Sequence, residues 1–221
     1  MKKFSYGSHN NPLFRYVGSN IERNDDGLMM DQDHYVRKLE QCDTDTAVGK
    51  KLDDVLGEDD QGKFRSLAAK LAMLSIISRP DIAFESKLFT MKYGKATKRD
   101  LRDANKKLKF VKNDTTRMVY PGLGCLQDWI IVGLSDAAVN SMPDKVGSVG
   151  GQVVLLVNKK SERTCVLGWR SKQLHRVVHS SLVAEALSLL ELFGDLKYTS
   201  DQPVQLSQIG HVLLVTYLVW S

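Results

Sequence analysis

The chain has 221 residues, of which 43% are hydrophobic and 26% are charged, and its formal net charge is +5. These proportions are typical of globular proteins and exclude collagen-like and low-complexity chains. No apolar run approaches the roughly eighteen residues of a membrane span, so we expect no membrane partner. The three cysteines are far apart and odd in number. They predict neither a disulfide framework nor a metal-binding pair, which favours an intracellular chain and leaves cytoplasm and nucleus open.

The charge is unevenly distributed along the chain. Residues 41–60 hold seven Asp or Glu against two Lys, whereas residues 62–120 hold fifteen Lys or Arg against five Asp or Glu. A basic excess confined to one segment is typical of a surface that binds a polyanion. It is equally compatible with the solvated face of a helix, and composition leaves both interpretations open.

The first structured segment is predicted to be a β-hairpin over residues 13–31. Its turn falls at residues 24–27, where Gly27 can adopt a positive φ. Asp31 is a candidate N-cap for a short helix that continues to residue 41. The acidic residues 41–61 that follow include two glycines, and this composition predicts a loop or linker.

Three helices are predicted next. The first covers residues 62–78 and should end before Pro80, because the residue before a proline avoids the α region. The second is expected over residues 81–92, and the third opens at Thr97, which forms a capping-box pattern with Asp100. The inward positions of the first and third helices are Phe64, Leu67, Leu71 and Leu74, and Leu101, Ala104, Leu108 and Val111. The third helix also offers five basic residues as candidate nucleic-acid contacts: Lys98, Arg99, Arg102, Lys106 and Lys109.

From about residue 119 the pattern changes to strands. Residues 129–134, 150–157 and 164–169 predict three strands in an antiparallel meander. A helix then begins near Ser180 or Ser181, either of which can cap it. Its predicted apolar stripe consists of Leu182, Ala186, Leu189 and Phe193. Residues 213–218 are compatible with a strand or with a helical turn.

Two carboxylates stand out by their location. Asp136 ends an apolar strand, where a carboxylate is costly to bury without a partner. Glu185 lies beside the apolar stripe of the last helix and should face the sheet if that helix packs on it. Converging carboxylates are the hard oxygen ligands that Mg²⁺ uses, with phosphate oxygens completing its octahedron. In the alternative interpretation Asp136 caps a turn and Glu185 pairs with Lys172 or Arg176.

Four segments of the sequence resemble a known family, the Pol polyproteins of copia-type LTR retrotransposons. Residues 14–39, FRYVGSNIERNDDGLMMDQDHYVRKL, resemble the closing palm hairpin and the start of the thumb, and residues 64–85, FRSLAAKLAMLSIISRPDIAFE, resemble the segment after the polymerase palm. The other two segments are similar to the ribonuclease H region of that family. They are SDAAVNSMPDKVGSVGGQVVLLVN at 135–158 and LGWRSKQLHRVVHSSLVAEALSL at 167–189.

The resemblance implies an α+β protein in two parts. Residues 1–118 would be the C-terminal part of a reverse transcriptase, with a palm hairpin followed by thumb and connection helices. Residues 119–221 would be a partial ribonuclease H-like domain, a truncated mixed sheet with a packed helix and a divergent tail.

The resemblance also implies roles for individual residues. Asp136 matches the family's first ribonuclease H aspartate and Glu185 its helix glutamate, so both would bind Mg²⁺ for cleavage of RNA in an RNA–DNA hybrid. The third aspartate should follow on a fourth strand, and Asp201 is the local substitute at a shorter spacing than usual. Lys172 and Arg176 are candidates for phosphate contacts.

The expected function is that of a fragment of such a polyprotein, with the rest of it as a possible partner. The polymerase Asp-Asp signature should lie upstream of the hairpin, so we expect no polymerase activity. We expect little or no nuclease activity from the chain alone, because one Asp and one Glu hold two Mg²⁺ ions poorly. The alternative is a non-catalytic nucleic-acid-binding module that uses the basic helix over residues 97–112.

Overall fold

The computed structural model describes residues 12–43, 51–139, 147–174, 180–200 and 212–216, with the backbone alone for 198–200 and 212–216. The protein is of the α+β class, as the sequence predicts. It divides into two compact units, one formed by Met1–Arg79 and Lys92–Tyr120 and the other by Pro80–Met91 and Pro121–Ser221. The part of the chain described here has no helix that is both long and apolar enough to cross a membrane.

Along the described parts of the chain, three strands are followed by four helices, four strands, one helix and a last strand. In order they are β1 (Leu13–Tyr16), β2 (Ser19–Asn24), β3 (Gly27–Asp31), α1 (Asp33–Arg37), α2 (Glu58–Ile77), a 3₁₀ turn (Pro80–Ile82), α3 (Ala83–Thr90), α4 (Lys98–Asn113), β4 (Met118–Pro121), a 3₁₀ turn (Leu126–Asp128), β5 (Trp129–Ala138), β6 (Val149–Asn158), β7 (Thr164–Gln173), α5 (Ser181–Ser200) and β8 (Val212–Thr216).

The first unit contains a four-stranded sheet in the order β1-β2-β3-β4. The predicted turn at residues 24–27 is confirmed, since Asn24 pairs with Gly27 across it. The predicted first strand is interrupted, because Val17 and Gly18 both adopt positive φ values, 48° and 78°. This second tight turn converts the predicted hairpin into a meander of three strands. Helix α1 is shorter than the sequence pattern indicates.

Helices α2 and α4 supply the core of the first unit. The predicted stripes of both helices are confirmed, because their eight apolar residues are 0–2% exposed. The capping box at the start of α4 is present: the Thr97 hydroxyl accepts from the Asp100 N–H at 3.3 Å, and the Asp100 carboxylate accepts from the Thr97 N–H at 2.8 Å. A capping box satisfies two N–H groups that a helix end otherwise leaves without partners.

Arg79 links the end of α2 to the end of α4. Its guanidinium is buried and donates to the backbone oxygen of Asp114 at 2.8 Å, and it forms an ion pair with the Asp114 carboxylate at 3.3 Å. The same group lies 5.5 Å from the centre of the Phe110 ring. A buried cation is tolerated when its donors are satisfied in this way.

The second unit contains a mixed sheet in the order β7-β6-β5-β8. Strands β5, β6 and β7 form the predicted antiparallel meander, and all three are longer than predicted. Strand β8 pairs with β5 in parallel, with Ile131 opposite Val212 and Ser135 opposite Thr216. The sequence pattern at residues 213–218 is compatible with a strand or with a helical turn. The structure forms a strand there, over Val212–Thr216. Helix α3 packs against β7 and so belongs to this unit.

Helix α5 packs closely on one face of this sheet. A Cβ atom added to Gly133 would lie 2.7 Å from Leu196, and one added to Gly150 would lie 2.7 Å from the Ser188 hydroxyl. Only glycine at these two positions permits such a short distance between helix and strand. At Gly150 the helix presents the small Ser188, whereas at Gly133 the absence of a side chain on the strand leaves room for Leu192 and Leu196.

The apolar stripe predicted for α5 is wrong. The buried residues are Ala184, Ser188, Leu192 and Leu196, which are 0–1% exposed, whereas Leu182 is 70% and Phe193 is 53% exposed. The helix is apolar around most of its circumference, so hydrophobicity alone indicates two faces. Close contact with Gly133 and Gly150 selects the face that carries Ala184 and Ser188.

The corrected packing face gives a direct stability test on two neighbouring leucines. Leu192→Ala should lower the free energy of unfolding by about 2–5 kcal/mol, because it leaves a cavity in a buried contact. Leu190 is 68% exposed, so the matched Leu190→Ala variant should change it by about 0.5 kcal/mol or less. Urea denaturation followed by circular dichroism measures both. Equal losses would contradict the assigned face.

Candidate functional site

Asp136 lies near the end of β5 and its side chain is exposed. Side chains alternate between the faces of a strand, and Gly133 and Ser135 contact α5. The Asp136 side chain therefore leaves β5 on the other face of the sheet, although its carboxylate turns toward the Ala137 N–H that Glu185 also reaches. On that other face Asp136 borders a cavity of about 510 Å³, whose walls include Leu134, Val153, Trp169 and Phe84.

Glu185 lies in the second turn of α5, and its carboxylate reaches the backbone beside Asp136. Its Oε1 accepts from the Ala137 N–H at 3.3 Å, and Oδ1 of Asp136 accepts from the same N–H at 2.8 Å. The second oxygen, Oε2 of Glu185, is buried and has no hydrogen-bond partner among the described residues. The structure thus brings together the two carboxylates that the sequence singled out.

The electrostatics of the pair favour a proton or a cation. Burial is the main reason that the pKa of Glu185 is raised above its ordinary value, and the nearby Asp136 carboxylate raises it further. The Ala137 N–H acts in the opposite direction, because it stabilises the charged form. A bound cation would offset the repulsion between the two carboxylates and would satisfy Oε2 of Glu185.

Ser188 and Gln152 hold α5 in the position that this contact requires. The hydroxyls of Ser135 and Ser188 are 2.7 Å apart, and the Ser188 hydroxyl also donates to the backbone oxygen of Asp136 at 3.3 Å. The amide of Gln152 donates to the backbone oxygen of Ser188 at 2.7 Å. The sequence analysis missed these positioning residues. The sequence does contain a signal for them, because Ser135 and Gln152 are polar residues within otherwise apolar strands.

Two cations on β7 are paired with acids on α5. Arg170 forms an ion pair with Asp195 at 2.6 Å, and Lys172 forms one with Glu191 at 3.3 Å. Lys172 therefore does not neutralise Glu185, as one interpretation of the sequence suggested. Its predicted role in phosphate contact requires the Glu191 pair to open. The other proposed partner and phosphate contact, Arg176, lies outside the described residues.

A third acid is not part of the described site. Asp201 lies outside the described residues, and β8, Val212–Thr216, carries no acidic residue. Within the described ranges, no group of three or more His, Cys, Asp or Glu side chains is arranged to hold a metal. Asp136 and Glu185 together suit one hard cation whose remaining ligands are water or phosphate. They do not suffice for a pair of ions.

The basic residues predicted for nucleic-acid contact lie on the outward side of α4. Arg99, Arg102, Lys106 and Lys109 are exposed, and Lys98 is partly buried. Arg99 forms an ion pair with Asp53 at 2.9 Å, and Lys106 forms one with Asp103 at 3.0 Å. Surface pairs of this kind contribute little and open readily. The site on β5 and α5 and this basic face belong to different units.

Comparison of the chain with models of known protein families and with curated proteins found no match to either.

Replacement of Glu185 by glutamine should stabilise the protein at neutral pH. Because the folded state holds the Glu185 proton more tightly than the unfolded state, stability falls as pH rises from about 4 through the raised pKa of Glu185. Glutamine removes that loss. Thermal melts should show a Tm gain of about 2–4 °C for Glu185→Gln at pH 7 and a smaller gain near pH 4.

Glu191→Gln is the matched control for this measurement. Glu191 lies on the same helix but pairs with Lys172, so its replacement should not stabilise the protein at pH 7. Two results would contradict the conclusion that burial of the charged Glu185 carboxylate destabilises the protein. One is a Tm gain for Glu191→Gln equal to that of Glu185→Gln, and the other is a gain for Glu185→Gln that does not depend on pH.

Proposed function

We propose that the chain is a fragment of a retrotransposon reverse transcriptase and ribonuclease H polyprotein. Its second unit would be a partial ribonuclease H-like domain, whose ancestral activity is Mg²⁺-dependent cleavage of RNA in RNA–DNA hybrids. The single observation that carries this proposal is the meeting of Asp136 and Glu185 at one backbone N–H, because distant parts of the sequence supply the two carboxylates.

The topology of the second unit supports the proposed domain type. Three antiparallel strands are followed by a helix, and the chain then returns in a strand parallel to the first of the three, next to it in the sheet. This arrangement agrees with the mixed sheet and packed helix that the resemblance to ribonuclease H domains implies. Glu185 on the helix lies beside Asp136 on the strand, and hydrolysis at a shared cation requires such an arrangement.

Asp136 and Glu185 are the residues that would hold the Mg²⁺ ion. When bound, the ion would polarise a phosphodiester and lower the pKa of an attacking water. The exposed carboxylate of Asp136 would face the solvent side of the site, and Glu185 would offer its unpartnered Oε2 from the protein side. With two carboxylates only, we propose little or no catalysis by the chain alone.

Binding of Mn²⁺ tests the site independently of catalysis. Excess Mn²⁺ should raise the Tm of the wild-type chain, because a ligand that binds only the folded state stabilises it by about 2.7 kcal/mol at 100 times its Kd. Asp136→Asn should abolish the shift. The control Asp128→Asn, at the opposite end of β5 in an ion pair with Lys160, should retain it.

The same three proteins are then incubated with a labelled RNA–DNA hybrid and Mg²⁺ or Mn²⁺. Any cleavage by the wild type and by Asp128→Asn should be absent in Asp136→Asn. Cleavage that survives Asp136→Asn, or a wild-type chain whose Tm does not respond to Mn²⁺, would refute the proposed metal site.

A second candidate function is nucleic-acid binding without catalysis, through α4. The buried stripe of this helix leaves its basic residues on the outward side, where a polyanion can reach them. If about six phosphates are contacted, the logarithm of the binding constant should fall with the logarithm of salt concentration at a slope of about −4 for a single strand. Fluorescence anisotropy with labelled oligonucleotides measures the slope. A slope near zero would eliminate this function.

A further inference from the structure

A groove in the first unit lies between α4 and the segment Gln41–Asp43. It has a volume of about 370 Å³ and is lined by polar and charged side chains. Three of them, Arg102, Lys106 and Lys109, are spaced at i, i+4 and i+7 along the helix, a spacing that places them on one side of it. The groove is thus part of the basic face of α4. Its other wall is the segment Gln41–Asp43, which the sequence did not indicate.

Asn105 holds this wall in place. Its side-chain oxygen accepts from the Cys42 N–H at 2.9 Å, and its side-chain amide donates to the Cys42 backbone oxygen at 2.8 Å. The Asn105 amide therefore satisfies both backbone groups of Cys42, as a neighbouring strand would. The Cys42 thiol is partly exposed beside the groove, which makes it a local reporter.

The charges that line the groove favour an anion. Among the described residues no ion pair or hydrogen bond involves the side chain of Arg102 or Lys109. Lys106 is paired only with the exposed Asp103, a contact that phosphate can displace at little cost. Among the described residues that line the groove, Asp43 is the one acid. The described lining residues thus carry three cations and one carboxylate, and with Asp103 counted beside Lys106 the net excess is one positive charge.

We propose that this groove binds phosphate groups of a nucleic-acid strand, with Arg102, Lys106 and Lys109 as the contacts and Asn105 as a positioning residue. The proposal rests on the second candidate function above and assigns its site. A guanidinium can bind two phosphate oxygens at once, and an ammonium adds a mobile point charge. The spacing of the three along one helix suits consecutive groups of a polyanion better than a single small anion.

Binding of a labelled oligo(dT) to the full chain tests the contacts. The triple variant Arg102→Gln, Lys106→Gln and Lys109→Gln should bind about tenfold more weakly at low salt, and its salt slope should be smaller by about 2. A matched triple variant removes the same charge from exposed basic residues of the same unit that lie outside α4: Arg23→Gln, Lys38→Gln and Lys95→Gln. It should keep most of the affinity. Asp43→Asn should raise the affinity by about threefold, because it removes an acid that lines the groove.

Alkylation of the cysteines locates the ligand. Cys125, which is exposed in the other unit, serves as the internal reference for Cys42. Burial raises the pKa of the Cys42 thiol, so the reaction with iodoacetamide is run at mildly alkaline pH and read by peptide mass spectrometry. Oligo(dT) should slow the alkylation of Cys42 relative to that of Cys125, and the groove triple variant should lose this protection.

The outcomes separate the groove from the broader function. Salt-dependent binding with no protection of Cys42, and with equal losses in the two triple variants, would overturn the groove while nucleic-acid binding by the chain stands. Protection by inorganic tripolyphosphate but not by oligo(dT) would overturn the nucleic-acid ligand in favour of a free polyphosphate. Absence of oligo(dT) binding at any salt concentration would overturn both proposals.

Discussion

The close packing of α5 on β5 and β6 is the constraint on which the candidate metal site depends. Gly133 and Gly150 leave no side chain between the helix and the sheet, so Leu196 and Ser188 lie directly on the strands. At this distance the Glu185 carboxylate reaches the backbone beside Asp136. A helix held farther away by a methyl group at either glycine would leave the two carboxylates apart.

This packing has an electrostatic cost that a structural role does not explain. It buries one oxygen of Glu185 without a hydrogen bond and places the carboxylate next to Asp136. Buried carboxylates are normally paired with a cation or with donors. Oε2 of Glu191 on the same helix also lacks a hydrogen bond, but Glu191 and Asp195 each pair with a cation, Lys172 and Arg170, whereas no ion pair with Glu185 is formed among the described residues. The exception at Glu185 is the kind of deviation that marks ligand-binding sites.

The two units carry different chemistry. The second unit offers two hard oxygen ligands beside an apolar cavity, whereas the first offers a cationic groove whose wall is held by one asparagine. A polyanion suits the groove, and a cation suits the acid pair. A nucleic acid and its associated metal ions would satisfy both requirements, so one class of ligand accounts for both features under the proposed functions.

Several features were determined by local sequence. The stripes of α2 and α4, the capping box at Thr97 and the turn at Gly27 follow from periodicity and turn chemistry, which act within a few residues. Strands β5, β6 and β7 were predictable for the same reason, and their ends were not, because pairing with a neighbour extends a strand beyond its apolar run. The candidates Asp136 and Glu185 were also visible as acids in apolar surroundings.

Other features depended on the tertiary structure. The face of α5 that packs could not be predicted, because the helix is apolar on two sides and only Gly133 and Gly150 distinguish them. The pairing of Lys172 with Glu191 and the contact between Asn105 and Cys42 join residues that are distant in sequence. Such contacts have no local signature. The sequence alone therefore determined which residues could act, and the packing of helix on sheet decided which of them meet.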